Sequence, residues 1–181
     1  MSGPLVLPAR SLVLHRVQLP LLHPMTSAHG TVSVRDVVLV EWRAHDGVIG
    51  WGECPTLPDA SYSGESTDDA WAALAGGLAS AALGGAVPDA PDNPMAAGAL
   101  RDAGLDAALR SQGRSLVEHA GGSRRPLPMC RVAGIGDGGA ELELEPGEAL
   151  RKFKVTPETV GRLAEIRELH PSLPMAADAN G

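Results

Sequence analysis

The sequence is poor in aromatic residues, in cysteine and in surplus positive charge. Only 3% of its 181 residues are aromatic, two are cysteine, and the formal net charge is −7 at pH 7. An acidic chain without a dense basic cluster lacks the attraction to phosphates on which binding to nucleic acids or anionic membranes depends. Its few aromatic side chains also offer little surface for base stacking. We therefore expect neither nucleic acid nor a membrane as a partner.

The two cysteines, Cys54 and Cys130, lie far apart and follow no paired spacing. This argues against a disulfide framework or a zinc knuckle and favours a reducing compartment. Long apolar runs are missing too, because Pro4, Pro8 and Pro20 interrupt the apolar N-terminal stretch. That pattern argues against a secretory leader and against a membrane span. We expect a cytoplasmic protein.

Branched apolar residues predict three strands early in the chain, over residues 11–19, 37–43 and 48–53. Between the last two, His45, Asp46 and Gly47 are typical of a hairpin, because glycine readily takes the positive φ of a tight turn. Residues 21–31 contain Pro, Ser, His and Gly and predict a loop. The three strands are expected to form an antiparallel meander.

Helices are predicted after these strands. The first begins at Ser66 or Thr67, where acidic residues in the first turn favour the positive end of the helix dipole, and it ends at Gly84. Asn93-Pro94 then combines an N-cap with proline at the first helical position. The alanine-rich helix that follows runs to about residue 111, and a shorter piece reaches about residue 120. Strands and helices together predict an α+β domain over residues 1–122.

The pattern changes after a linker at residues 121–128. Short apolar segments at 129–133, 150–155 and 173–179 predict strands. One or two helical turns are predicted within 140–145, and a longer helix begins at Thr156-Pro157 and stops at His170. Alternating strands and helices are typical of a parallel sheet. We predict a second domain of this kind over residues 123–181.

Charged residues lie on two of these predicted strands. Side chains two apart on a strand share a face, so Lys152 and Lys154 point one way, and Asp178 and Asn180 point together from the next strand. Parallel strands are normally buried on both faces. Two ammonium groups and a carboxylate are costly there unless they meet one another, a metal or an anionic substrate. The alternatives are a solvated strand edge for the lysines and a turn for residues 178–181.

This combination suits the removal of a proton next to a carboxylate. The reaction needs a base poised near neutrality and a cation that stabilises the growing enediolate charge. Burial and a neighbouring cation lower the pKa of a lysine, and Lys152 stands beside Lys154 as such a cation. Asp178 offers the hard oxygen that Mg²⁺ prefers.

Motifs along the chain resemble one group of enzymes, in the same order. Residues 50–54 (GWGEC) and 62–65 (YSGE) are similar to the capping domain of o-succinylbenzoate synthases and N-acylamino-acid racemases. These belong to the muconate-lactonizing-enzyme subgroup of the enolase superfamily. Residues 19–21, 35–40, 98–100 and 105–107 fit the same pattern. Residues 152–154 (KFK) resemble the Lys-x-Lys motif of the family, and residues 178–180 (DAN) resemble its first metal-ligand motif.

The resemblance implies an α+β capping domain followed by the first strands of a TIM-type (β/α) barrel, incomplete in this chain. It assigns Lys154 as the base, Lys152 as its electrostatic and substrate-orienting neighbour, and Asp178 as the first Mg²⁺ ligand. A lysine base with Mg²⁺ is the general chemistry already known for enolase-superfamily sites. Two capping-domain loops are expected to lie over the substrate, the first over residues 25–31 and the second over residues 54–65. The predicted substrate-binding residues lie in these loops or beside the metal ligand, and they are Ser27, His29, Tyr62 and Asn180.

The implied activity is that of an o-succinylbenzoate synthase-like dehydratase, a Mg²⁺-dependent carbon–oxygen lyase of menaquinone biosynthesis with a small-molecule carboxylate substrate. Alternatives with the same base are an N-acylamino-acid racemase, a dipeptide epimerase or a muconate cycloisomerase. A non-catalytic truncated fragment is the alternative of another class. The family carries further acidic ligands and a second lysine on later strands, so we expect an incomplete metal site and an inactive chain. An oligomer is compatible with the sequence.

Overall fold

The computed structural model describes residues 6–27, 30–61, 63–134 and 148–179. Their contacts divide the chain into two compact units, with the main boundary between Ser123 and Arg124. Seven elements precede this boundary: β1 (Ala9–Ser27), β2 (Gly30–Ala44), β3 (Ile49–Cys54), α1 (Thr67–Ala73), α2 (Ala79–Ala82), α3 (Pro94–Ser111) and α4 (Leu116–His119). Four follow it: β4 (Met129–Gly134), β5 (Glu148–Lys154), α5 (Arg162–Leu169) and β6 (Met175–Asp178). Over these described ranges, no helix is long and apolar enough to cross a membrane.

The first unit is built on a three-stranded sheet in the order β1-β2-β3. β2 and β3 run antiparallel, and the turn between them passes through Gly47, whose φ of 86° is readily adopted only by glycine. The Asp46 carboxylate accepts a hydrogen bond from the Val48 amide at 3.0 Å. The predicted hairpin is therefore confirmed.

The loop predicted over residues 21–31 is wrong for most of its length. β1 continues to Ser27 and β2 already begins at Gly30. Proline suggested a loop because it cannot donate a hydrogen bond within a sheet, but β1 lies at the edge of its sheet. An edge strand tolerates proline on the side that has no partner strand. Pro20 and Pro24 therefore fit within a long edge strand.

Helix α3 packs directly onto β3 through residues without bulky side chains. A Cβ added to Gly52 would lie 2.0 Å from the Ala99 carbonyl oxygen, and one added to Gly50 would lie 2.2 Å from that of Ala103. Ala99, Ala103 and Ala107 are all buried on the facing side of the helix. The glycines of the GWGEC motif thus serve close packing between helix and sheet.

The first helical region begins as predicted but is not continuous. Ser66 and Asp69 form a reciprocal capping box in front of α1, in which each side chain binds the backbone amide of the other. A π-helical segment, Leu74–Leu78, then separates α1 from α2. Within it, Gly77 has a φ of 142°, a value that side-chain-bearing residues rarely adopt. This irregularity follows from the glycine.

Helix α3 spans Pro94–Ser111, as predicted, but its N-terminus is capped by a distant residue. Asn93 makes no side-chain capping bond. Instead, the buried carboxylate of Glu65 accepts the amides of Met95 at 2.7 Å and Ala96 at 3.1 Å. The negative charge satisfies two otherwise unpaired donors at the positive end of the helix dipole.

The second unit contains a parallel sheet in the order β4-β5-β6, which confirms the parallel arrangement predicted from the alternation of strands and helices. Its core consists of Phe153, Val155, Ile166 and Leu173. Residues 135–147, including the predicted helical turns at 140–145, lie outside the described residues.

Helix α5 begins later than predicted. The sequence predicted a start at Thr156-Pro157, whereas the helix starts at Arg162. In between, the Thr156 carbonyl accepts the amides of both Thr159 at 3.0 Å and Val160 at 2.9 Å. In addition, the Thr159 hydroxyl accepts the Thr156 amide at 2.8 Å. These local bonds favour turns over a regular helix.

Candidate active site

Three of the predicted site residues lie on two neighbouring strands. Lys152 and Lys154 are on β5, Asp178 ends β6, and the parallel register places Lys154 opposite Asp178 and Lys152 opposite Ala176. Phe153, between the two lysines, is buried in the core of the unit. Because strand side chains alternate between faces, the lysines project from the face opposite to that core.

The Lys152 ammonium forms an ion pair with Asp178. Its Nζ lies 2.9 Å from the Asp178 Oδ2, and the side chains are 36% and 28% exposed. The hydrogen bond to Asp178, followed by the Coulombic attraction of the same carboxylate, raises the pKa of Lys152 above its ordinary value. Lys152 was expected to act as a cation beside Lys154. Its positive charge is instead compensated by the Asp178 carboxylate.

Lys154 is partly buried and differs from its neighbour in its contacts. Over the ranges that the structure describes, no ion pair involves its ammonium group. Its side chain is thus not held by the carboxylate that lies directly across the register. A general base must be neutral to accept a proton, and a carboxylate partner favours the charged form of an amine.

The two lysines carry a signal in residue usage that motif reasoning missed. They are the only lysines of the sequence, and the other 13 of its 15 basic residues are arginine. Arginine serves as a charged residue at least as well as lysine but stays protonated at any physiological pH. The chain uses arginine at its other 13 basic positions and lysine at these two neighbouring positions on one face of β5. An amine can lose its proton and act as a base, which a guanidinium cannot do.

Asp178 fits one position of a magnesium site. Its carboxylate is a hard oxygen ligand, and it already holds a cation, the Lys152 ammonium. A Mg²⁺ site requires several oxygen ligands, and the described part of the chain contains no group of three or more His, Cys, Asp or Glu side chains suited to a metal. Among the described residues, Asp178 therefore supplies one ligand of such a site.

A buried ion pair lies on the opposite face of β5. Arg151 donates to Glu148 with its Nε 2.6 Å from the Oε1, and both side chains are almost completely buried. Breaking a buried pair of this kind leaves an uncompensated charge, which is strongly destabilising. The pair compensates the charge of Arg151, which lies on the face of β5 opposite to the lysines.

The predicted substrate-binding residues fall at the margins of the described structure. Ser27 ends β1, and only its backbone is described. His29, Tyr62 and Asn180 lie outside the described residues. Cys54, at the start of the second predicted substrate loop, is fully buried, and burial followed by the charge of Glu65 raises the pKa of its thiol to about 11. Such a thiol is not a nucleophile at neutral pH.

The base of that loop is tied by several hydrogen bonds. The Leu57 carbonyl accepts the amide of Thr67 at 2.8 Å and its hydroxyl at 3.0 Å. Thr56 donates its hydroxyl to that of Thr67 at 3.1 Å, and Glu65 is anchored to the start of α3. These contacts join widely spaced residues, so sequence patterns did not reveal them.

Comparison with known proteins identifies the family. Residues 9–121 match the model of the mandelate racemase/muconate lactonizing enzyme N-terminal domain. An N-succinylamino acid racemase of Amycolatopsis sp. is 35% identical over 160 residues, which cover 80% of this chain and 43% of that protein. An o-succinylbenzoate synthase of Geobacillus stearothermophilus is 29% identical, over 93% of this chain and 49% of that protein. The chain thus spans about half the length of the curated relatives it matches.

Solved structures support the same assignment. A probable mandelate racemase from Alicyclobacillus acidocaldarius superposes with a TM-score of 0.76 at 30% identity, over 94% of this chain and 51% of that protein. A muconate lactonizing enzyme from Pseudomonas fluorescens, at 22% identity, shows the shared fold with a TM-score of 0.78, over 97% of this chain and 53% of that protein. The predicted capping-domain fold, followed by the start of a parallel sheet, is confirmed. The chain belongs to the mandelate racemase and muconate lactonizing enzyme family of the enolase superfamily.

Proposed function

We propose that this chain carries the base and one metal ligand of an active site that removes a proton next to a carboxylate. The activity is that of an o-succinylbenzoate synthase, a carbon–oxygen lyase that dehydrates a cyclohexadiene carboxylate in menaquinone synthesis. The observation that carries the proposal is the position of the only two lysines, side by side on one face of β5 and next to Asp178. The o-succinylbenzoate synthase relatives support the substrate class.

Each of these side chains has a distinct role in the proposal. Lys154, whose ammonium has no ion pair with Asp178, abstracts the proton once it is neutral. Lys152 orients the substrate carboxylate by charge, and Asp178 would hold Mg²⁺ as one of several oxygen ligands. When bound, Mg²⁺ would stabilise the negative charge that develops on the substrate carboxylate. Residues 1–122 form the capping domain and residues 123–181 the start of the barrel, with Ser27, His29, Tyr62 and Asn180 contacting the substrate.

A cytoplasmic setting belongs to the same proposal. Both cysteines are free thiols, Cys54 buried and Cys130 exposed. An exposed free thiol fits a reducing compartment, where disulfides rarely persist. The proposed substrate is a small soluble carboxylate, and the acidic net charge of −7 fits the absence of nucleic acid from the reaction.

The test is an assay of the full-length protein that contains this chain. We expect Lys154→Met to reduce the rate of dehydration by at least a thousandfold, because it keeps the apolar stem and removes the amine. Thermal denaturation of the variant checks that folding is preserved. A variant that folds normally and keeps a substantial fraction of the wild-type rate would contradict the assignment of the base.

Racemisation of N-acylamino acids is a second candidate, favoured by the 35% identity to the Amycolatopsis racemase. It uses the same abstraction of an α-proton but returns a proton to the substrate instead of losing a leaving group. Both reactions should be measured on the same preparation, with N-succinylamino acids for the second. The larger kcat/KM decides between them, and loss of both in Lys154→Met supports a shared base.

A further inference from the structure

The sheet of the first unit has a face that is turned away from α3 and carries apolar side chains. Because Gly50 and Gly52 face this helix, the residues that alternate with them lie on the opposite face. These are Ile49, Trp51 and Glu53. Trp51 is 43% exposed and Ile49 is 39% exposed. The open face of an antiparallel sheet is normally polar, and an accessible tryptophan beside another apolar residue is typical of a protein interface.

The outer face, as we call it, consists of these three residues of β3 and their register partners on β2, which are Leu39, Glu41 and Arg43. Its centre is held by side-chain contacts. The buried Glu41 carboxylate accepts the Arg43 Nε at 2.6 Å and bonds to the His15 Nε2 at 2.8 Å. The His15 ring in turn lies 5.6 Å from the Trp51 ring, measured between centroids. Side chains that are already held in place lose little conformational entropy when a partner binds.

Opposite charges lie on the two sides of Trp51. Glu53 follows it by two positions on β3, and Ile49, two positions before it, is the register partner of Arg43. Residues two apart on a strand are separated by about 6–7 Å, so the two charges originate at similar distances from Trp51, in opposite directions along the sheet. Among the residues that the structure describes, Glu53 forms no ion pair. Arg43 keeps four N–H donors on its terminal nitrogens beside the Nε that Glu41 binds.

A two-fold axis through Trp51, perpendicular to the sheet, exchanges these two positions. It would place Glu53 of the partner subunit over Ile49 and beside Arg43, and symmetry supplies the reciprocal contact. A different protein would need no such arrangement, whereas two identical subunits require a self-complementary surface. We propose that the outer face joins two copies of this chain in a symmetric dimer, with Trp51 at its centre and an Arg43–Glu53 ion pair on each side.

Sedimentation velocity of the 181-residue chain at increasing concentration tests the dimer. Because one face of a three-stranded sheet is small for an interface, we expect a reversible dimer of micromolar affinity. Trp51→Ala should raise the dissociation constant at least about tenfold, as the loss of a central tryptophan does. Leu116→Ala removes another exposed apolar side chain, on α4 and outside the outer face, and should leave the dissociation constant unchanged. Circular dichroism checks that both variants fold.

Charge reversal tests the two-fold arrangement. Glu53→Arg should weaken the dimer, because like charges then face each other at both contacts, and added salt should strengthen its dimer by a larger factor than that of the wild type. Arg43→Glu should weaken the dimer in the same way. In an equimolar mixture of the two variants, opposite charges meet at both contacts, so native mass spectrometry should show mainly the mixed dimer. The salt dependence of Glu53→Arg decides the point if Arg43→Glu, which also loses its bond to Glu41, fails to fold.

Several results would overturn the inference. A chain that stays monomeric at every concentration, or a dimer that Trp51→Ala does not weaken, would do so. A monomeric chain that binds a different protein through Trp51 would also contradict it, because the outer face would then serve another partner. A Glu53→Arg dimer as stable as that of the wild type, or two folded variants that form no mixed dimer, would reject the two-fold arrangement and the proposal with it.

Discussion

Replacing Gly52 by alanine tests the close packing between β3 and α3. The added Cβ would lie 2.0 Å from the Ala99 carbonyl oxygen and 2.9 Å from the Ala103 amide nitrogen. Both are backbone atoms of a helix, so a side-chain rotation cannot relieve the clash, and α3 must move away from the sheet. Overpacking typically costs about 1–3 kcal/mol, and we expect about 3 kcal/mol or more here because a backbone must shift.

Gly98 on the same helix is the matched control. An added Cβ there meets no atom within 4 Å, and its φ is not in the positive range. Alanine is a better helix former than glycine, so Gly98→Ala should stabilise the protein by about 0.5–1 kcal/mol.

The expected destabilisation by Gly52→Ala can be converted into a change of Tm. At about 2–4 °C per kcal/mol for a chain of this size, Gly52→Ala should lower the Tm by roughly 6–12 °C.

Thermal denaturation followed by far-UV circular dichroism measures both variants, and urea titration gives the free energies of unfolding. A Tm of Gly52→Ala within about 2 °C of the wild type would refute the packing derived for this helix. Equal destabilisation by Gly98→Ala would refute it as well, because the effect would then come from changing any glycine of the region.

Three further predictions follow from single side chains. Glu65→Gln should lower the free energy of unfolding by about 1–3 kcal/mol in urea titration, because the carboxylate accepts two buried amides at the start of α3. A thiol reagent at pH 8 should modify Cys130 quickly and Cys54 only after denaturation, as mass spectrometry of the peptides would show, since Cys130 is exposed and Cys54 is buried with a raised pKa. Hydrogen bonds to Arg43, which has the larger effect, and to His15 hold the pKa of Glu41 below its ordinary value of 4.5. The stabilisation from these contacts is therefore present above pH 4.5. It is lost as the pH falls through the lowered pKa of Glu41 in the folded protein. Glu41→Gln should weaken the acid dependence of stability below about pH 4.5, and an unchanged dependence would contradict the pairing.

Local signals in the sequence were sufficient for much of the fold. The hairpin at Gly47 and the start of α1 at Ser66 and Thr67 depend on neighbouring residues, and both were found where the sequence predicted them. The strand bearing Lys152 and Lys154 follows from a period of two, which also separates the lysines from the core. Such features depend on short-range backbone preferences.

Features that depend on distant residues were not predicted. β1 extends through Pro24 because the strand lies at a sheet edge, and edge position is a property of the whole sheet. Glu65 caps a helix that begins 29 positions later in the sequence. The pairing of Lys152 with Asp178 depends on strand register and on the reach of a lysine. Residue pattern specifies which face a side chain occupies but not which partner it meets across the sheet.

The proposed reaction depends above all on the amine of Lys154, which removes a proton from the substrate. The most direct measurement is the loss of the substrate α-proton signal in deuterium oxide, which both dehydration and exchange produce, followed by proton NMR on the full-length protein with wild-type Lys154 and with Lys154→Arg. Arginine keeps the positive charge but cannot lose its proton under these conditions. We expect rapid loss of the α-proton signal in the wild type and none above background in a folded Lys154→Arg protein; loss at an undiminished rate in that variant would contradict the assignment of Lys154 as the base.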